Sequence, residues 1–256
     1  MRGGTLALRG LCRSFGGIVA THDITLDFAA GSLSAIIGPN GAGKTTLFHL
    51  ITGMIAPSAG RVLLDGEDIT GLDRQAIVRR GIGRAFQVAN LFPSFTVAES
   101  LAAAILTHEG RTASLFHAFP PRDVALRTEE VMELCGLRHL ASTVARQLSH
   151  GDQKLLDIAL ALALDPKVLL LDEPTAGMGP DERWRMIERV HGLWQARRMT
   201  LIFIEHDMDI VFRIAETVRV LRYGAVLAQG TPEEIRRNPA VIEAYLGSEH
   251  ALEAVP

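Results

Sequence analysis

Gly38-Pro39-Asn40-Gly41-Ala42-Gly43-Lys44-Thr45 fits the pattern G-x-x-x-x-G-K-[ST], and Thr46 follows it. The apolar run Leu33–Ile37 precedes this stretch, and a helical pattern from Lys44 to about Ile55, stopped by Pro57, succeeds it. Strand before and helix after is the context a phosphate loop requires. Successive backbone N–H groups, freed by glycines that tolerate positive φ, wrap phosphate oxygens at the positive end of a helix. Lys44 reaches the β/γ oxygens as a point charge, and the Thr45 hydroxyl coordinates Mg²⁺. No G-x-G-x-x-G occurs in the chain, which disfavours a dinucleotide fold.

Outward from the loop, the first third reads as strands: Leu6–Cys12, Ile24–Phe28, Arg61–Asp65 and Ile82–Phe86, the last ending at Gln87. One helix, that from Lys44, interrupts them. From Gln87 to Leu148 the pattern turns helical, with Val97–Leu106 and Val124–Cys135, and His108–Arg122 reads as a surface excursion. Leu115, Phe116 and Phe119 within it fit either a hydrophobic plug under a loop or a contact with a membrane partner. After Ser149 a helix to Leu164, the strand Val168–Leu171, a helix Asp181–Ala196 and the strand Leu201–Ile204 alternate. Fully apolar strands alternating with helices imply a parallel sheet covered on both faces. Trp184, Ile187, Val190 and Trp194 read as the core stripe of their helix. The chain closes with Val218–Leu221, a hairpin at Tyr223-Gly224 and two short helices, the first opened by Thr231-Pro232-Glu233-Glu234.

Composition narrows the function classes. The chain has 256 residues, 48% of them apolar, and a formal net charge of −3. That suits a soluble globular protein of one large or two unequal units, at about 150 residues per domain. The 26 basic and 29 acidic residues leave no broad basic field, so nucleic acid is not an expected partner. No apolar run reaches the roughly 18–20 residues of a spanning helix, and MRGGTLALRG has no signal-peptide core. Cys12 and Cys135 are far apart and suit a reducing compartment. No zinc-binding pattern of histidines or cysteines is present.

A second motif is Val168-Leu169-Leu170-Leu171-Asp172-Glu173. Its four apolar residues bury a central strand, and two carboxylates emerge at the C-terminal end, where α/β folds place ligands. Asp172 is suited to holding Mg²⁺ and Glu173 to polarising an attacking water. With these two motifs, Leu148-Ser149-His150-Gly151-Asp152 at the head of a helix resembles the signature of ABC ATPases. Gln87 matches that family's glutamine at a strand end, His206 in Ile204-Glu205-His206-Asp207 its switch histidine, and Phe15 in Ser14-Phe15-Gly16-Gly17 its adenine-stacking aromatic. Taken alone, Phe15 reads as a core residue.

Within that family the chain is most similar to ATPase subunits of branched-chain amino acid importers. The resemblance lies in Arg84-Ala85-Phe86-Gln87, Asn90-Leu91-Phe92, Thr96-Val97 and the tail from Asn238 to Gly247. ATPases of urea importers fit as an alternative. The resemblance implies a RecA-like phosphate-loop NTPase core, α/β with a parallel sheet and an antiparallel β subdomain, plus an inserted α-helical subdomain. The implied division is 1–87 for the first part of the core, 88–155 for the helical subdomain with the signature, and 156–256 for the second part with C-terminal helices. It also implies an ATPase in which two chains, identical or related, sandwich two MgATP head to tail. Phe15 stacks on adenine, and Gly38, Asn40, Gly41, Ala42, Gly43, Lys44, Thr45 and Thr46 hold the phosphates. Ser149 and Gly151 reach the nucleotide of the opposite subunit. Thr45, Gln87 and Asp172 form the metal shell, and Glu173, His206 and Gln87 act in hydrolysis. The implied partners are the second ATPase, two transmembrane permease subunits and, indirectly, a solute-binding protein. The implied location is the cytoplasmic face of the cell membrane.

The chain departs from the family pattern L-S-G-G-Q at His150 and Asp152. Ser149-x-x-Asp152 also reads as a helix N-cap with an acid at the third position. After Glu173, Ala176-Gly177-Met178-Gly179 stands where S-A-L-D is usual, so no catalytic role falls there. Two competing classes are a soluble ABC ATPase, disfavoured by a single cassette without a basic arm, and an unrelated phosphate-loop kinase or GTPase. No N-K-x-D supports the latter.

Overall fold

The structure, a computed structural model, describes residues 3–85, 93–111 and 120–245. The hairpin of β1 (Leu6–Phe15) and β2 (Ile18–Phe28) leads into β3 (Leu33–Ile37) and α1 (Lys44–Ile51). Next come β4 (Ala59–Leu64), the short β5 (Glu67–Asp68), α2 (Arg74–Arg80) and β6 (Ile82–Ala85). Three helices follow, α3 (Val97–His108), α4 (Arg122–Cys135) and α5 (His150–Ala163). The alternation β7 (Val168–Asp172), α6 (Pro180–Arg197), β8 (Thr200–Ile204) and α7 (Met208–Ile214) precedes β9 (Thr217–Arg222), β10 (Ala225–Gly230) and α8 (Pro232–Arg236). Residues 239–245 are helical.

Two sheets result. The larger has the order β10-β9-β3-β8-β7-β6, parallel from β9 to β6 with β10 antiparallel at its edge. The smaller, β2-β1-β4-β5, is antiparallel. Why the central strands are apolar throughout is visible in how they divide their side chains. Leu33, Ala35, Ile37, Leu169, Leu171, Leu201 and Phe203 face a core shared with α3 to α6. Ile36, Val168, Leu170, Ile202 and Ile204 face a second core made with α1 and the antiparallel sheet. Each of these side chains is essentially fully buried, which at about 1.5–3 kcal/mol per large apolar residue makes the sheet the rigid element of the molecule. Helix α5 joins the parts, since it packs both on α3 and α4 and on β6 and β7.

The structure differs from the sequence reading in five places. Helices α2 and α7 are additional. Helix α2 buries only Ile77 and owes its ends to the Asp73 cap and to Gly81 at φ +104°, so it carries no apolar period. The first hairpin continues past Cys12 to the Gly16-Gly17 turn, where its residues are exposed and their pattern is silent. Helix α1 stops at Ile51, with Gly53 at φ +64° turning the chain before Pro57. The stripe of α6 is Met186, Ile187, Val190 and Leu193. The two tryptophans flank it half-buried, Trp184 beneath the Arg213 guanidinium and Trp194 donating its indole N–H to Gly31 O at 2.9 Å. Both cysteines are free thiols, and burial pushes Cys135 up to about 12. No described helix is long and apolar enough to cross a membrane.

Candidate functional site

Four neighbouring parallel strands, β3, β8, β7 and β6, end on one edge of the sheet; the phosphate-loop residues follow β3, Asp172 and Glu173 stand at the end of β7, and His206 follows β8. The loop after β3 is fixed by two close backbone approaches. A Cβ on Gly38 would lie 2.2 Å from Leu221 O, and one on Gly43 2.3 Å from Ala20 O; both have positive φ, +152° and +97°. Gly224 N–H bonds Ala42 O at 3.1 Å, so the β9–β10 turn pins the loop from outside.

Gly43 is the N-cap of α1. Among the eight named helices α1 alone has neither a side-chain cap nor an acid in its first turn. Its first N–H groups and its dipole are left for an outside anion, as phosphate binding requires. Lys44 is buried and folds back, donating Nζ–H to Gly38 O at 2.6 Å and Pro39 O at 3.1 Å. Burial lowers its pKa, against the opposing fields of Glu173 and Asp172. Asn40, Gly41 and Thr45 are exposed, Thr46 half-buried and Ala42 buried.

Thr45, Asp172 and Glu173 line one cleft of about 530 Å³, together with Arg84, Lys154 and Asp157. The hydroxyl of Thr45 and the carboxylate of Asp172 are hard oxygen donors that suit Mg²⁺ rather than a softer metal. Among the described residues no group of three His, Cys, Asp or Glu could hold a metal without help, so phosphate oxygens would have to complete such a shell. Glu173 holds φ +47°, a left-handed backbone that costs a non-glycine residue about 1–2 kcal/mol and swings its carboxylate out of the strand line. Its Oε1 meets His206 Nε2 at 2.8 Å. The neighbouring ends of β7 and β8 therefore bring together two residues 33 apart in sequence.

Other candidates stand apart from this cleft. Phe15 is 45% exposed at the tip of the first hairpin, with the Arg13 guanidinium 4.9 Å from its ring centroid. The hairpin stands beside the phosphate loop, because the Ala20 backbone lies against Gly43 and Gly224. Ser149 and Gly151 do not line the cleft. Ser149 caps α5: its Oγ accepts from Asp152 N–H at 3.1 Å and donates to Asp152 Oδ2 at 2.7 Å. Asp152 thus turns into the cap. A Cβ on Gly151 would meet Glu182 Oε1 at 2.2 Å. Gln87 lies outside the described residues, as do Asn90, Leu91, Phe92, Leu115, Phe116, Phe119 and Gly247.

Several contacts at the site were not read from sequence. Arg84 donates Nη2–H to Asp172 Oδ2 at 2.7 Å, and burial lowers its pKa despite that carboxylate. Lys154 donates to Glu173 O at 3.4 Å. His150 Nε2 is 3.1 Å from Ala176 O, and Arg183 Nε–H donates to Met178 O at 3.1 Å, so the loop after Glu173 is held from two sides. Thr175 bonds the buried Glu205. Apart from Arg183 to Met178, five residues apart, these contacts have no local pattern, since their partners lie on different elements.

A family model described as ABC transporter matches residues 21–176, and one described as branched-chain amino acid ATP-binding cassette transporter matches residues 225–251. The high-affinity branched-chain amino acid transport ATP-binding protein LivG of Salmonella typhimurium is 38% identical over 250 residues, 94% of this chain and 97% of that protein. BraF of Pseudomonas aeruginosa, of the same description, is 39% identical over 248 residues, again 94% and 97%. The crystal structure of the ADP conformation of MJ1267, an ATP-binding cassette of an ABC transporter, aligns with TM-score 0.84 and 30% identity over 96% of this chain and 99% of that one. A dimeric post-hydrolysis state of MJ0796, bound to ADP and Pi, aligns with TM-score 0.74 and 25% identity over 89% and 98%.

Proposed function

The chain belongs to the ABC transporter ATPase family, and from that premise we propose that it is the ATP-hydrolysing subunit of an importer of branched-chain or other small amino acids. The observation that carries the reading is the uncapped start of α1 at Gly43-Lys44, with Asp172, Glu173 and His206 gathered on the same sheet edge. The loop amides and Lys44 bind the phosphates of ATP, and Phe15 offers its face to adenine. Glu173, oriented by His206, accepts a hydrogen bond from the attacking water, and His206 meets the γ-phosphate. Thr45, Asp172 and Gln87 would hold Mg²⁺, which when bound neutralises charge on the β and γ oxygens.

In this reading the phosphate loop of one chain supplies too few charges to complete hydrolysis by itself. Ser149, at the exposed head of α5, supplies the missing contact to the nucleotide of a second ATPase subunit, whose own Ser149-equivalent turn returns it. Closing excludes water and places donors around developing charge, which is how phosphoryl transfer is accelerated. Two transmembrane permease subunits, served by a solute-binding protein, would convert that closure into uptake, with the ATPase at the cytoplasmic face.

The test is turnover against protein concentration. ATP hydrolysis per chain should rise with concentration as dimers form, and Ser149→Ala should lower it. Full-speed hydrolysis untouched by dilution and by Ser149→Ala would refute the sandwich and leave a self-sufficient NTPase. Co-purification with two membrane-spanning subunits and stimulation by a branched-chain amino acid receptor would test the transport assignment.

A further inference from the structure

The ladder between β7 and β8 ends at Glu173, whose N–H makes its last bond to Ile204 O at 3.0 Å. The left-handed turn at Glu173 then carries Pro174 and Thr175 away from the sheet. Glu205, the first residue after β8, is only 4% exposed. Its Oε1 accepts from Thr175 N–H at 3.0 Å and from the Thr175 hydroxyl at 2.6 Å. Its Oε2 accepts from the backbone N–H of His206 at 3.2 Å. One buried carboxylate therefore serves two loops, one oxygen to each, where the backbone ladder no longer reaches.

Packing alone does not account for an acid here. Ile204 and Phe203 before it show that the sheet end is apolar, and burying a carboxylate is unfavourable unless its oxygens find donors. Among the described residues Glu205 forms no ion pair, so its three hydrogen-bond donors belong to the two loops. What a carboxylate does that a leucine would not is hold Thr175 at a set distance from His206. Thr175 is two residues past Glu173, and His206 is the residue whose ring Glu173 meets at 2.8 Å.

We propose that Glu205 is a positioning residue for hydrolysis: by clamping Thr175 and the His206 backbone together it sets the Glu173–His206 contact that orients the attacking water. This rests on the roles assigned to Glu173 and His206 above. Glu205→Gln breaks the clamp without removing volume, because an amide has one oxygen to accept and presents an N–H₂ to whichever loop the oxygen does not serve. Thr175→Val removes the hydroxyl bond alone and keeps the side-chain shape, and Thr175→Ser restores it.

The experiment measures kcat for ATP and the affinity of a fluorescent ATP analogue in the full chain for wild type, Glu205→Gln, Thr175→Val and Thr175→Ser. A displacement of Glu173 and His206 by a fraction of an ångström should lower kcat by roughly tenfold to a hundredfold in Glu205→Gln. Analogue affinity should stay within about twofold, since the phosphate loop is untouched. Thr175→Val should fall in between, and Thr175→Ser should recover most of its loss. The ring ¹⁵N resonances of His206, assigned by their disappearance in His206→Ala, should move in Glu205→Gln. Wild-type kcat in Glu205→Gln, or equal loss in Thr175→Val and Thr175→Ser, overturns the proposal. Should Glu205→Gln fail to fold, the Thr175 pair decides. If the wild type hydrolyses no ATP, the functional reading falls on its own, and the His206 resonances still decide whether Glu205 positions that ring.

Discussion

Replacing Arg84 by methionine isolates one interaction that links the sheet to the cleft. The Arg84 side chain is 6% exposed and that of Asp172 21%, with 2.7 Å between Nη2 and Oδ2. Arg84 also rests its guanidinium carbon 5.6 Å from the Phe48 ring centroid, a contact a methionine largely keeps. Breaking a buried ion pair by removing one partner costs about 3–5 kcal/mol. Asp172 opens onto the cleft and can rehydrate, which reduces the expected loss to roughly 2–3 kcal/mol. In a chain of this size that lowers Tm by roughly 4–12 °C. The assay is thermal unfolding without nucleotide in a chelator, for Arg84→Met, Asp172→Asn and the double variant. The double variant should be less destabilised than the sum of the singles by about 1–2 kcal/mol. Freed of its cation, Asp172 should also be a better site for Mg²⁺, so MgATP should raise the Tm of Arg84→Met by more than that of wild type. Single effects that add within about 0.5 kcal/mol would refute the pairing argument.

Further outcomes follow from other sites. Lys44→Ala removes a charge-assisted contact to phosphate and should weaken binding of a fluorescent ATP analogue by roughly ten- to hundredfold, measured by titration. His49 and His108 both have pKa values lowered from 6.5, mainly by burial and then by Arg84 and Arg127 respectively. The unfolded chain therefore takes up protons below pH 6.5 that the native imidazoles resist, so stability falls as pH drops through that value. His49→Gln should flatten the decline of Tm between pH 7 and the lowered native pKa, and an unchanged slope would contradict the assignment. Cys135 should stay unreactive towards a thiol reagent in the native protein, where burial pushes it up to about 12, while partly exposed Cys12 reacts; both should react after unfolding in denaturant.

What could be read from the sequence is what neighbouring residues decide among themselves. Gly38 to Thr45 carries its own backbone geometry, so the loop and the strand and helix around it were legible. The strands Leu33–Ile37 and Val168–Leu171 announced a doubly covered sheet because every residue in them faces one core or the other. Ser149 and Asp152 showed their cap in four consecutive positions. Helix α7 escaped notice because seven residues with Ile210 and Val211 buried side by side set up no helical period. The tryptophans of α6 misled because large apolar side chains also suit the edge of a core. Only the tertiary structure could join Arg84 to Asp172 across 88 residues, or Thr175 to Glu205 across 30. Such pairs depend on which strands lie side by side and how far each loop leaves the sheet, and a carboxylate's partner is chosen by that geometry rather than by its own neighbours in the chain.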